Sequence, residues 1–121
     1  MMKYSDSHEW VKVNGTTGQV GISTHAQKEL GEIVYVELPK VGQEVKAGDE
    51  VAVLESTKAA ADIYTPVTGI ITQVNQAAAD TPSLLNTSPE REGYLFEIAL
   101  SAPEELEALM PIEAYTAMVG S

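Results

Sequence analysis

Six short stretches of alternating apolar and polar residues limit what this chain can fold into. They are Trp10-Val11-Lys12-Val13, Gly18-Gln19-Val20-Gly21-Ile22, Ile33-Val34-Tyr35-Val36-Glu37-Leu38, Val51-Ala52-Val53-Leu54-Glu55, Ile70-Ile71-Thr72-Gln73-Val74 and Tyr94-Leu95-Phe96-Glu97-Ile98. A period of two puts one face of a strand in the core and the other in water, and β-branched residues suit that half-buried pleated setting. Gly, Pro or Asn separates the stretches, which predicts a small β-barrel or sandwich. Asn14-Gly15 tolerates the positive φ of a tight turn and should join the first two strands as a hairpin, with Thr16-Thr17 available to lengthen the loop.

Two segments depart from this pattern. Thr24-His25-Ala26-Gln27 fits a capping box, after which Ala26 and Leu30 share a face and Gly31 ends a short helix behind the second strand. Ser101-Ala102-Pro103-Glu104 opens a second helix with acidic residues in its first turn; Leu106, Leu109 and Met110 form its stripe. Pro111 interrupts it, and Ile112, Tyr115, Met118 and Val119 continue for a further turn or two. Between Asn75 and Gly93 no period is sustained, so that segment reads as a loop.

Composition narrows the function classes. The 121 residues are 44% hydrophobic and 21% charged, as in an ordinary globular domain, so the acidity belongs to a folded surface. Eighteen acidic against seven basic residues give a formal charge of −11, which argues against a nucleic-acid partner. The absence of cysteine removes thiol nucleophiles, disulfides and thiolate metal sites, so any sulfur redox chemistry needs an added group. No apolar run approaches the ~20 residues of a membrane span, and the start of the chain lacks signal-peptide or transit character. A soluble, cytoplasmic protein of bacterial type is expected; the mitochondrial matrix would require a transit peptide already removed.

Catalysis finds little to use. His8 and His25 are far apart in sequence, which is a weak metal signal, and no G-x-S-x-G elbow supports a serine triad. An active site of His8, Glu9 and Lys58 has no motif behind it. The run Glu55-Ser56-Thr57-Lys58-Ala59-Ala60-Ala61-Asp62 differs in kind, because strands enter and leave it and its one lysine stands among small side chains. Glu55 and Asp62 favour the charged ammonium, so Lys58 is a poor imine former by itself. It suits an acyl acceptor if another enzyme supplies the deprotonating site. An arbitrary Lys-Ala-Ala-Ala would more often be a solvated turn or helix start.

The stretch from Glu55 to Gly69 resembles the lipoyl-attachment motif of glycine cleavage system H proteins. Three further blocks agree in order: Ser7-His8-Glu9-Trp10, Val20-Gly21-Ile22-Ser23-Thr24-His25-Ala26-Gln27, and Gly31-Glu32-Ile33-Val34-Tyr35-Val36-Glu37-Leu38-Pro39. The resemblance implies a mainly β, lipoyl-domain-like barrel-sandwich hybrid, as a single lipoyl-carrier domain over residues 1–121. It has a short helix after the second strand and helices at the C-terminus. It implies a non-catalytic, monomeric carrier with lipoate in amide linkage on Lys58. On that arm an aminomethyl group would pass between glycine decarboxylase, aminomethyltransferase and dihydrolipoamide dehydrogenase. A lipoate-protein ligase or an octanoyl or lipoyl transferase would install the arm.

By the same resemblance, the loaded arm would fold into a cleft at Ser7, Glu9 and Asp62, while Gly42, Glu55, Asp62 and Gly69 would serve recognition by the lipoylating enzyme. A carboxylate can hold a basic aminomethyl group by a charge-assisted hydrogen bond. Thr57 and Ala61 depart from the family's usual Val and Ser or Thr, and Arg91-Glu92-Gly93-Tyr94 from its usual aromatic and Gly-Trp. The departures at Thr57 and Arg91 motivate one alternative, a lipoyl donor or scaffold delivering lipoate to other proteins or to a regulatory system. Biotin carriers bracket their lysine with methionines, unlike Thr57 and Ala59.

Overall fold

The computed structural model describes residues 2–120. Its strands are β1 (Met2–Tyr4), β2 (Glu9–Asn14), β3 (Thr17–Ile22), β4 (Ile33–Glu37), β5 (Glu44–Val45), β6 (Glu50–Ser56), β7 (Ala60–Tyr64), β8 (Gly69–Val74) and β9 (Phe96–Leu100). Its α-helices are α1 (Thr24–Leu30), α2 (Gln76–Asp80), α3 (Ser83–Thr87) and α4 (Ile112–Val119), with a 3-10 helix at Pro103–Ala108. One sheet has the order β1-β2-β3-β9-β8-β5 and the other β4-β6-β7, with every pairing antiparallel. Val11, Val20, Phe96 and Ile98 from the larger sheet meet Ile33, Val36, Leu54 and Ile63 from the smaller one in a shared core. The expected mainly β fold is thus present.

All six alternating stretches lie on strands or overlap them. Asn14 pairs with Thr17, so Thr16-Thr17 does not lengthen the hairpin loop, and Gly15 takes the left-handed φ of +65° that the tight turn requires. Trp10 is opposite Gly21, where a Cβ would fall 2.8 Å from the indole; the glycine makes room for the largest side chain in the molecule. The indole N–H is shared between the carbonyls of Ile22 and Pro89.

Several local expectations need correction. The helix after the second expected strand follows the third observed one, because Met2–Tyr4 forms a strand too short to display a period. Its cap is Ser23, whose Oγ accepts from the Ala26 N–H at 3.1 Å, rather than Thr24. Gln27 does not complete a capping box; its amide donates to the Gly31 carbonyl and to Asn86. The segment expected as a loop holds α2 and α3, five residues each and so too short for a helical repeat to register. The stretch expected as the second helix is a 3-10 turn. Met110, disfavoured from helical geometry by the following Pro111, instead exchanges two backbone hydrogen bonds with Tyr4.

That exchange brings the C-terminus onto the N-terminus. Tyr4 stacks on Tyr115 of α4 with ring centroids 4.5 Å apart, and both are buried with Trp10 in a second, aromatic cluster. Burial, followed by the hydrogen bond to the Glu90 carboxylate, pushes the Tyr4 phenol well above its ordinary value. Burial likewise raises Tyr115, with a hydrogen bond to Ser23 pulling the other way.

Candidate functional site: an exposed lysine at the tip of a hairpin

Lys58 stands in the connection between β6 and β7, and one serine builds the turn. The Ser56 Oγ accepts from the N–H of Lys58 at 3.1 Å and of Ala59 at 3.0 Å, and the Ser56 N–H donates to the Ala59 carbonyl at 2.8 Å. Serine favours such turns because its hydroxyl stands in for a backbone acceptor. The Thr57 N–H reaches the Glu32 carbonyl at 3.0 Å, tying the tip to the entry of β4. The main chain around the lysine is therefore held while its side chain is exposed.

The aliphatic stem has a resting place. A Cβ at Gly31 would lie 2.8 Å from Lys58 Cε, so the stem crosses the bare Cα of a residue whose φ is +86°. Glu55 and Asp62 are both exposed on the two strands of this hairpin. Among the described residues neither is ion-paired with Lys58.

Beside the hairpin lies a cleft of about 200 Å³ lined by Ser7, His8, Ile22, Ala26, Glu29, Leu30, Ala61, Asp62 and Ile63. Ser7 and Asp62 thus meet on its wall, although they come from different parts of the chain. Asp62 is four positions beyond Lys58, within β7. Glu9 does not share the wall. It is 2% exposed, and its Oε1 accepts from the hydroxyls of Ser5 at 2.7 Å and Ser7 at 2.5 Å. Its Oε2 accepts from the Tyr64 N–H at 3.2 Å, so a residue of β2 secures the end of β7.

Gly42 and Gly69 are elsewhere. Gly42, at φ +91°, turns the chain before β5, and its N–H donates to the Ile71 carbonyl. Gly69 opens β8 against β9, where a Cβ would overlap the Ala99 carbonyl. Both shape the larger sheet, whereas Lys58 belongs to the smaller.

Ser56, Gly31 and Ser5 were not singled out as functional residues from the sequence. Ser56 carried a usable signal, a serine directly before a turn; Ser5 and Gly31 act through contacts that no local pattern shows.

The glycine cleavage H-protein family model matches residues 2–121. The chain belongs to the glycine cleavage H-protein family. It is 49% identical over 120 residues to the glycine cleavage system H protein of Alcanivorax borkumensis, covering 99% of this chain and 94% of that one. Identity to the Thermotoga maritima H protein is 50% over 115 residues, with 95% and 93% covered. A crystal structure of an H protein from Mycobacterium marinum superposes with a TM-score of 0.91 at 33% identity, covering 99% and 97%. The resemblance carried by Lys58 and its three companion blocks is borne out over the length of the chain. No helix among the described residues is long and apolar enough to cross a membrane.

Proposed function

We propose that this H-protein family member is a non-catalytic lipoyl carrier, one domain over residues 1–121, with lipoate in amide linkage on Lys58. The observation that carries the reading is the exposed lysine on a turn whose backbone is pinned by Ser56 and Glu32. An ammonium so displayed is accessible to a modifying enzyme, and the held backbone fixes where an attached arm begins. The apolar wall of the cleft, Ile22, Leu30 and Ile63, suits a hydrocarbon arm, and the Ser7 hydroxyl and Asp62 carboxylate at its edge suit a basic amine.

Lipoate on Lys58 supplies a dithiolane, the sulfur chemistry that a chain without cysteine lacks. The protein's own residues position the arm, offer Asp62 and Ser7 as hydrogen-bonding partners and, through Glu9, hold the Ser7 hydroxyl in place. Tethering keeps an aminomethyl group at high effective concentration as the carrier visits glycine decarboxylase, aminomethyltransferase and dihydrolipoamide dehydrogenase. Glu55 and Asp62 flank the lysine where the lipoate-protein ligase or octanoyl or lipoyl transferase must dock, with Gly42 and Gly69 shaping the neighbouring sheet. A monomer in the cytoplasm fits this itinerary. With a charge of −11, docking to basic partner surfaces is expected to weaken as salt rises.

The deciding experiment is intact-mass analysis after co-expression with a lipoylating enzyme and lipoate. One added lipoyl group is expected in the wild type and none in Lys58→Arg. A wild-type protein that stays unmodified overturns the assignment.

A further inference from the structure

His8, on the wall of the cleft, meets the other histidine of the chain, His25 of α1. The His8 and His25 ring centroids are 5.0 Å apart, and one donor atom from each of His8, His25 and Glu29 lies within 4.8 Å of the other two. We propose that His8, His25 and Glu29 form a binding site for a divalent transition metal of the Zn²⁺ class. Two imidazoles and a carboxylate are a borderline donor set that such ions accept, and water or a cleft ligand would fill a fourth position.

The distances suit this use. Tetrahedral Zn²⁺ with N and O ligands at about 2.0–2.1 Å places its donor atoms roughly 3.4 Å from one another. The His25 Nε2 to Glu29 Oε1 separation is already 3.1 Å, the span of one edge of that tetrahedron. Both side chains stand on successive turns of α1, at i and i+4, and Glu29 is 65% exposed, so it is free to draw in by a rotamer change.

His8 is the fixed member, and two observations distinguish it from an ordinary surface histidine. Its φ of +76° makes it the one non-glycine residue with positive φ among the described residues, a conformation costing about 1–2 kcal/mol. Backbone hydrogen bonds from Ser23 N–H to the His8 carbonyl and from His8 N–H to Ser5 hold it there. Its Nδ1 is 2.7 Å from the Tyr115 hydroxyl, which is itself 2.7 Å from Ser23 Oγ. With the proton on Nδ1, Tyr115 accepts it and donates its own to Ser23, leaving the Nε2 lone pair of His8 for the metal. Metal-binding imidazoles are commonly oriented through the opposite ring nitrogen in this way. His8 and Glu29 also line the cleft on whose wall Ser7 and Asp62 stand.

The test uses the full chain with Lys58 unmodified, so that no sulfur ligand is present and the outcome is independent of the carrier reading. Titration with ZnCl₂, and with CoCl₂ followed by its visible spectrum, is expected to show one saturable equivalent and a tetrahedral cobalt signature. His25→Ala and Glu29→Gln, which alter partly or fully exposed side chains, should each weaken Zn²⁺ affinity about 10-fold or more. In ¹H–¹⁵N spectra of the imidazoles, Zn²⁺ should shift both histidines and leave His8 protonated at Nδ1. Absence of saturable binding, affinity unchanged in His25→Ala, or a shift at only one histidine each overturn the site.

Discussion

The hairpin tip at Lys58 and the polar seam around Glu9 stand at opposite ends of β7 and are built in opposite ways. At the tip, the groups with chemistry to offer are exposed, and one serine hydroxyl organises the turn. In the seam, a carboxylate is buried at 2% exposure and each of its oxygens has a donor. The difference separates two tasks: the seam holds strands in register, while the tip holds only a few backbone amides and leaves the side chain free. Changes in the seam should therefore cost stability, and changes at the tip should cost modification.

The largest expected stability effect comes from Glu9→Ala. Removing the buried acceptor leaves the Tyr64 N–H without its partner and leaves the Ser5 hydroxyl only its longer 3.3 Å contacts with the residue 9 carbonyl and Ser7, at about 1–3 kcal/mol for each group left unsatisfied. A loss of roughly 2–4 kcal/mol in urea unfolding is expected, with lipoylation of the remaining folded protein intact. A loss under about 0.5 kcal/mol, the range of ordinary surface changes, would erase the contrast.

Next is an alkaline effect of the buried tyrosine pair. Because Tyr4 and Tyr115 hold their protons more tightly folded than unfolded, their contribution is complete below the ordinary tyrosine value of about 10. It is lost as pH rises from there through the higher folded values. The urea midpoint should fall as pH rises above about 10, and Tyr4→Phe should make that fall shallower. An identical pH profile in the variant would show that burial of this phenol is not what is felt.

Ser56→Ala tests the tip. Two amides lose their acceptor in an exposed turn, so about 1 kcal/mol or less of stability is expected to go, while the rate of lipoylation falls several-fold as the turn loosens. Equal rates for variant and wild type would mean that the turn's order is irrelevant to the modifying enzyme. The smallest effect is expected for Thr57→Val, which restores the usual family residue at an exposed position and should change neither stability nor modification measurably.

The same contrast explains what was legible in the sequence. Alternation exposed the six main strands because each has one face in the shared core, and Gly15 and Gly31 marked a turn and a helix end by the φ they permit. Strands β1 and β5, with three and two residues, have no room for a period. Lys58 was readable because its surroundings are local: strand, small residues, strand. Glu9 was placed on the cleft, but its burial beneath Ser7 depends on Ser5 and on Tyr64, a residue of the opposite sheet. His8 and His25 are distant in sequence and meet only in the fold, where the Ser23 N–H at the head of α1 donates to the His8 carbonyl.

The bond from Glu9 to Tyr64 has a consequence for the molecule in a crowded solution. In the sheet ordered β4-β6-β7, β7 is an outer strand, and its open side could template the addition of a strand from another molecule. The Glu9 carboxylate occupies one of the amide positions such an intruder would need, and the exposed negative charge of Asp62 adjoins the same strand. A side chain from the neighbouring sheet thus occupies one hydrogen-bonding position on an outer strand that would otherwise be open to another chain.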